Sequence, residues 1–359
     1  MKCLIISDSP TSGGLLTFLN NIIRVNDSLS FQTTILISND TSREFVKNIY
    51  SSNVEILYFP AITKNLNVYQ RFVKELRILK KIISQINPEL VFINTGNPTY
   101  FFSLYLFNYP LIYVVHSLVM KLSWKAFAIV LIPKFLSSKK KIILTVSNNS
   151  RDRIIKFWNI NINYIKVIYN PFNTNNVAPI SRYDGEKIIL TIGHVIDYKN
   201  PQMWLKVAES IVKENDDVFF YWVGDGPELF YFQELTKDTP RINFVGYNSD
   251  VLSYYKKAYL YFQPSISESQ GIAVVEAMAN GIPCIVSNVG GLPEVVKDGI
   301  TGYVCDNQFT PYTSSISLVL NLSRSKYEEM SNLSIDLAKK IFDADGFNLR
   351  IRELYKGLI

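Results

Sequence analysis

PSISESQGIAVVEAMANGIPCIVSNVGGLPE, residues 264–294, holds a polar loop, a glycine, a helical run and a strand in immediate succession. Glu268 lies in the loop, just after a strand expected over 260–262. Gly271 lets the backbone come close to a ligand as the helix begins. Free N–H groups and the positive end of the helix dipole at that point suit a phosphate. Glu276 sits among Ala273, Val274, Val275, Ala277 and Met278. A carboxylate there is costly unless it accepts strong hydrogen bonds, for example from the two hydroxyls of a ribose. The residue types alone leave a plainer reading open, in which Glu268 caps the helix and Glu276 lies on its solvent face.

Outward from this segment, short β-rich runs alternate with amphipathic helical stretches, the mark of parallel α/β architecture. Strands are expected over 3–7, 34–37, 54–58, 90–93, 111–115 and 142–146. Gly13 and Gly14 follow the first of them, and Leu15, Phe18, Leu19, Ile22 and Ile23 then form a helical stripe. A helix is expected over 68–86, and Ser147 as the N-cap of another. A strand-like run over 164–169 leads to Asn170-Pro171 and a polar stretch over 173–186, the best linker candidate. The pattern then starts afresh, with strands over 187–192, 218–223, 242–245, 260–262, 284–287 and 303–305. Asn200 caps a helix with Pro201 in its first turn. Two doubly wound units bind ligands beyond the carboxyl ends of their strands, so the site is expected in a cleft between two domains.

The totals agree with this. At 359 residues the chain is long for one core, and 48% hydrophobic against 19% charged residues describes a packed globular protein. Cys3, Cys284 and Cys305 are scattered and read as reduced thiols of a cytoplasmic protein; His116 and His194 are the two histidines. The amino terminus turns polar too soon for a signal peptide. The apolar stretches over 100–120 and 126–136 are broken or too short for a membrane span. Neither first strand is followed by Gly-x-Gly-x-x-Gly, which speaks against a nicotinamide enzyme.

Glu268 to Met278, Gly281-Ile-Pro283 and Gly290-Gly291-Leu-Pro-Glu294 together resemble the hallmark of the retaining glycosyltransferases of family 4. The resemblance continues through Gly13-Gly14, Ile192-Gly193 to Lys199, Val223-Gly224-Asp225-Gly226, Phe244-Val245-Gly246 and Asn170-Pro171. It implies the GT-B fold, an α/β arrangement of two Rossmann-like domains facing each other across a cleft. The first, 1–169, would bind the acceptor and the second, 170–342, the nucleotide sugar, with 343–359 as a helix packing back on the first. By the same resemblance Lys199 neutralises the leaving diphosphate, assisted by the backbone of Gly271, Ile272 and Ala273. Glu268 contacts the donor sugar, Glu276 the ribose and Tyr247 the base, with Gly13 and Gly14 near the phosphates or the acceptor. His116 closes a strand where the family often places a histidine beside the transferred sugar.

Two positions depart from the family. His194 stands where an arginine is usual, and a histidine, with an ordinary pKa of ~6.5, is mostly neutral at pH 7. Either a bound diphosphate charges it, or Lys199 and the helix terminus carry the phosphates. Gln270 replaces a more usual aromatic residue and would tune sugar choice. Asp343-Ala-Asp345 lies far from any nucleotide-binding strand and reads as a solvated loop, so no metal or other cofactor is expected. The implied reaction is sugar transfer with retention from a nucleoside-diphosphate sugar, with UDP as the expected carrier. A sugar-nucleotide epimerase of the same fold and a catalytically weak partner-binding subunit are the alternatives.

Charge is unevenly spread. Residues 1–170 carry 20 Lys and Arg against 8 Asp and Glu, whereas 171–359 carry 17 against 23. Arg71, Lys74, Arg77, Lys80 and Lys81 recur on one helix, and Lys121, Lys125, Lys134 and Lys139 to Lys141 surround Trp124, Phe127 and Phe135. Basic residues among aromatics suit an anionic membrane surface, though a solvated helix face would look the same. No nucleic-acid recognition module is present. The expected acceptor is a glycan or a lipid-linked glycan at the inner face of the cell membrane, as in bacterial surface polysaccharide synthesis.

Overall fold

A computed structural model describes residues 1–7, 14–38, 46–49, 54–59, 68–95, 104, 107–116, 140–172 and 185–358. Gly13, the linker over 173–184 and the basic-aromatic stretch from Lys121 to Lys139 lie outside these residues. The chain divides into two compact units, Met1–Asn170 with Asp345–Ile359, and Pro171–Ala344.

The first unit is built on a seven-stranded sheet in which every pairing is parallel. In chain order the strands are β1 (Lys2–Ile6), β2 (Gln32–Ser38), β3 (Val54–Phe59), β4 (Leu90–Asn94), β5 (Leu111–Val115), β6 (Lys141–Thr145) and β7 (Ile165–Val167). Their order across the sheet is β3-β2-β1-β4-β5-β6-β7, so the winding reverses between β1 and β4. Side chains alternate between two cores, as the period of two in a strand requires. Cys3, Ile5, Phe92, Ile112 and Val114 face one, and Leu4, Ile6, Val91, Tyr113 and Val115 the other. Helices Gly14–Ser28 and Ala344–Leu358 feed the first core, through Phe18, Leu19 and Ile22 and through Phe347, Ile351 and Tyr355. The Tyr355 hydroxyl bonds Asn26 Oδ1 at 3.0 Å. Helix Val68–Ile86 brings Leu79 and Ile83 to the second core and leaves Arg77, Lys80 and Lys81 exposed.

The second unit repeats the plan with six parallel strands: β8 (Lys187–Ile192), β9 (Val218–Val223), β10 (Ile242–Gly246), β11 (Ala258–Gln263), β12 (Cys284–Ser287) and β13 (Gly302–Cys305). Their order is β10-β9-β8-β11-β12-β13, with the reversal between β8 and β11. The core centres on Trp204, whose ring meets Phe220, Trp222 and Phe244 edge-on at centroid distances of 5.5, 5.3 and 5.0 Å. Its indole N–H donates to Thr191 Oγ1 at 2.7 Å, so burying it leaves no orphaned donor.

Several local expectations hold. Helix Val68–Ile86 and strands Leu111–Val115, Lys187–Ile192, Val218–Val223 and Cys284–Ser287 have the expected bounds. Ser147 accepts from the Ser150 N–H as a cap at 3.2 Å, and Asn200 from the Met203 N–H at 3.4 Å ahead of Pro201. The strand expected over 164–169 begins as a short 3₁₀ turn, Ile162–Tyr164, because Asn161 caps it and draws the Asn163 N–H to 2.9 Å. All three cysteines are unpaired and buried, and burial pushes the Cys3 thiol up to about 12. Among the described residues no helix is long and apolar enough to cross a membrane.

Lys141 corrects the reading of the basic stretch. It opens a strand whose five residues are all buried, and its ammonium donates to the Phe107 carbonyl at 2.7 Å. Burial lowers its pKa to about 8, so it is an internal cation and no part of a solvated face, whereas Lys140 is exposed. Lys141→Glu should therefore cost about 3 kcal/mol of stability, as placing an unpaired charge inside a protein does. Lys140→Glu should stay within about 0.5 kcal/mol. Urea melts of the two variants check this, and equal midpoints would refute it.

Candidate active site

In the second unit the polar residues gather where β8 and β11 end. β8 runs into Gly193, whose N–H donates to the Val223 carbonyl at 3.0 Å and whose carbonyl accepts from the Trp222 indole at 2.9 Å. The turn that follows is locked by Val195 N–H to Asp225 O at 2.9 Å. Glycine is required here: a Cβ on Gly224 would stand 2.1 Å from the Gly193 carbonyl oxygen, and its φ is +150°. The chain then makes a 3₁₀ turn, Asp197–Lys199, and Asn200 takes a left-handed conformation to start helix Pro201–Glu214.

This turn is tied to the loop after β11. The Ile266 N–H donates to the Tyr198 carbonyl at 2.8 Å, and Asn200 Nδ2 donates to the Pro264 carbonyl at 3.1 Å. The two segments thereby bring Lys199 Nζ into an ion pair with Glu268 Oε2. That oxygen also accepts from Gln263 Nε2 at 2.9 Å. Behind it, the Tyr261 hydroxyl accepts from the Ile192 N–H at 3.2 Å and lies 3.1 Å from Gln263 Oε1. Burial raises the Tyr261 phenol well above its ordinary range, which keeps it neutral.

Gly271 sits beside this pair, its Cβ position 3.6 Å from Glu268 Cγ, at φ +91°. It is the N-cap of helix Ile272–Ala279, and no side chain caps the first turn. Ile272 and Ala273 are half-buried in that turn. The helix end therefore presents partial positive charge next to the Lys199 ammonium, an arrangement suited to an anion.

One turn on, Glu276 Oε2 accepts from the Tyr255 hydroxyl at 2.9 Å. Glu276 is half-buried, and burial raises its pKa against the opposing pull of that hydrogen bond. It is thus not on a freely solvated face. Tyr255 stacks on Tyr261 at 6.4 Å, so a ring contact joins the Glu276–Tyr255 bond to the chain that runs from Tyr261 through Gln263 to Glu268 and Lys199. Sequence reasoning found the ends of this arrangement and missed its middle.

The remaining expected residues fall as follows. His194 is exposed next to Gly193, its Nδ1 3.2 Å from the Asp225 carbonyl oxygen. Gln270 is almost fully buried. Tyr247 follows β10 and is 67% exposed, free to stack on a planar ligand. Gly14 and His116 belong to the first unit. Gly14 opens helix Gly14–Ser28, and His116 follows β5 with its Nε2 2.7 Å from Asn94 Oδ1. The His116 ring meets Phe18 edge-on at 5.0 Å, and burial lowers its pKa to about 3.

Replacing Glu276 with glutamine keeps an oxygen for Tyr255 and removes the charge. If this carboxylate holds part of the nucleotide, KM for the donor should rise about tenfold with kcat little changed, since one charged hydrogen bond is worth ~1.5 kcal/mol in both ground and transition states. Initial rates at varied donor check it, and an unaltered KM would remove Glu276 from the binding site.

Comparison with known proteins gives these positions a context. Residues 12–176 match the family described as Glycosyltransferase Family 4, and residues 173–333 match Glycosyl transferases group 1. N-acetyl-alpha-D-glucosaminyl L-malate synthase of Bacillus anthracis is 36% identical over 126 residues, 34% of this chain and 33% of that protein. The UDP-Gal:alpha-D-GlcNAc-diphosphoundecaprenol alpha-1,3-galactosyltransferase of Escherichia coli is 25% identical over 239 residues, 60% of each. The match thus spans a third to three fifths of the length of these curated relatives. HepE of Anabaena, solved in complex with UDP, superimposes over 100% of both chains with a TM-score of 0.80 at 18% identity. With two consecutive family matches over residues 12–333 and a full-length structural likeness, the chain belongs to the glycosyltransferases of family 4 and has the GT-B fold.

Proposed function

We propose that the chain transfers a sugar from a nucleoside-diphosphate sugar, UDP-linked, to a glycan or lipid-linked acceptor, with retention of configuration and without a metal ion. The second unit holds the donor and the first the acceptor. The observation that carries this is the pairing of Lys199 with Glu268 beside the uncapped start of helix Ile272–Ala279. A cation and a helix terminus stand together there, with a carboxylate within reach of both.

As the C1–O bond of the donor breaks, positive charge grows on the sugar ring and negative charge on the leaving diphosphate. Lys199, shared between Glu268 and the phosphate, and the first-turn amides meet the negative charge. Glu268 holds the sugar, and Glu276 and Tyr247 hold the nucleoside. The proton of the acceptor hydroxyl passes to the departing phosphate oxygen as the new C1–O bond forms on the same face, so no enzyme nucleophile is required.

A lipid-linked acceptor at the cytoplasmic face of the membrane, in surface polysaccharide synthesis, is the preferred partner. The exposed Arg77, Lys80, Lys81 and Lys140 support it, as does the lipid-linked substrate in the name of the Escherichia coli relative. Each basic residue near an anionic leaflet contributes about 1 kcal/mol, screened by salt. Lys139→Glu with Lys140→Glu, leaving the internal Lys141 alone, should release the protein from anionic vesicles. Equal binding to neutral vesicles, or none to either, would leave a soluble glycan as the acceptor.

The activity itself is tested by incubating the full chain with a panel of labelled sugar nucleotides and candidate acceptors. Acceptor-dependent release of nucleoside diphosphate is the expected result. Conversion of the sugar without an acceptor would indicate an epimerase, and no turnover with any donor a partner-binding subunit.

A further inference from the structure

The loop after β13 reaches the site of the second unit from the edge of its sheet. β13 is the outermost strand there, separated from β11 by β12 and from β8 by both. Two residues past its end stands the half-buried Asn307. Its Nδ2 donates to the Ser265 carbonyl at 3.3 Å, and its Oδ1 accepts from Asn200 Nδ2 at 3.2 Å and from the Tyr312 hydroxyl at 3.1 Å. Asn200 directly follows Lys199, and Ser265 lies three residues before Glu268. One side chain thus links the two segments that carry the ion pair.

Partners of one kind fix the orientation of both amides. The Pro264 carbonyl can only accept and the Met203 N–H can only donate, so Asn200 turns Nδ2 to the first at 3.1 Å and Oδ1 to the second at 3.4 Å. Its remaining amide hydrogen faces Asn307, which must therefore offer oxygen, and the Ser265 carbonyl takes the Asn307 nitrogen. Burial raises the Tyr312 phenol above its ordinary range, so it stays a neutral donor to the same Asn307 oxygen.

Two further observations separate this link from ordinary packing. Asn200 is left-handed, at φ +62° and ψ +52°, a conformation that glycine adopts without strain. Backbone shape alone would be served by glycine; the asparagine adds the bonds to Pro264 and Asn307. The Ser265 carbonyl also accepts from the Ser287 hydroxyl at 2.6 Å, so that loop has its own anchor. What Asn307 adds is the connection to Asn200.

We propose that Asn307 is a positioning residue for the donor site: through Asn200 it sets where the Lys199 ammonium stands relative to Glu268 and the start of helix Ile272–Ala279. Its effect on turnover rests on the glycosyltransferase reading; its effect on Lys199 does not.

Two measurements on the full chain decide it. The first needs no substrate: lysines are acetylated with a water-soluble succinimidyl ester and followed by peptide mass spectrometry. The Lys199 side chain is only 16% exposed and is paired, so it should react slowly in the parent. In Asn307→Ala and in Asn200→Gly its rate should rise several-fold, while that of the exposed Lys213 stays the same. An unchanged Lys199 rate in the folded variants overturns the proposal whatever the enzyme's activity. Asn200→Gly keeps the left-handed backbone and the Asn307–Tyr312 bond, and glycine is an accepted cap, so it carries the test if Asn307→Ala does not fold. The second measurement is turnover with UDP-glucose, UDP-galactose and UDP-N-acetylglucosamine. Asn307→Ala should lower kcat roughly tenfold with the donor KM within about twofold, and should lower it no further in the Lys199→Ala background. A lowered melting temperature with full kcat would reduce Asn307 to a packing residue, and a loss that multiplies with that of Lys199→Ala would put its effect elsewhere; either overturns the proposal. If the parent turns over none of these donors, the glycosyltransferase reading falls, and the acetylation rates still decide whether Asn307 places Lys199.

Discussion

Lys199→Ala is expected to lower turnover about 100-fold while leaving the fold intact, because ~3 kcal/mol of transition-state stabilisation corresponds to that factor. The ammonium matters most when charge develops on the leaving diphosphate, so kcat should fall more than donor affinity. The fold should survive because Glu268, once unpaired, still accepts from Gln263, which is braced in turn by Tyr261. Lys199→Arg keeps the charge but needs room for a planar fork beside Gly193, whose Cβ position is only 3.8 Å from Lys199 Cε; partial recovery is expected. Unchanged turnover in a folded Lys199→Ala would leave the diphosphate without its proposed counter-ion.

Gly224→Ala should be the most damaging single-methyl change at the site. The added carbon would meet the Gly193 backbone at 2.1 Å, where no rotamer change can relieve it, and a residue at φ +150° is strained in any case. A loss of at least ~2 kcal/mol is expected, together with weakened donor binding as the 193–199 turn is pushed away. Gly357→Ala is the matched control. Nothing lies within 4 Å of its Cβ position in helix Ala344–Leu358, and replacing a helical glycine should stabilise by up to ~1 kcal/mol. Thermal melts of both variants check the pair of signs. Equal effects would show that backbone approach at Gly224 is not what the glycine is for.

What the sequence made legible, and what it hid, divide by physical cause. Strands such as Leu111–Val115 are fully buried apolar runs with sharp polar edges, and helix Val68–Ile86 has a clean apolar stripe, so both could be bounded from pattern alone. Glu268 stood out beside Gly271 at a helix start and Glu276 as a carboxylate among apolar residues, whereas Lys199 was marked only by the family resemblance. Gln263, Tyr261 and Tyr255 did not stand out. They sit in or beside hydrophobic runs, where a polar or aromatic residue reads as part of the core, and their roles follow from strand order across the sheet and from how the helices pack, which one sequence does not reveal. Lys141 misled for the converse reason: in a run of three lysines, nothing distinguishes the one that points inward.

The central claim is that the second unit holds a nucleoside diphosphate through Lys199, the start of helix Ile272–Ala279 and Glu276. Calorimetric titration of UDP, GDP and ADP into the full chain tests it most directly. One of them, expected to be UDP, should bind with one site per chain and measurably more weakly to Lys199→Ala and Glu276→Gln. Absence of binding by all three, or binding that neither substitution alters, would contradict it.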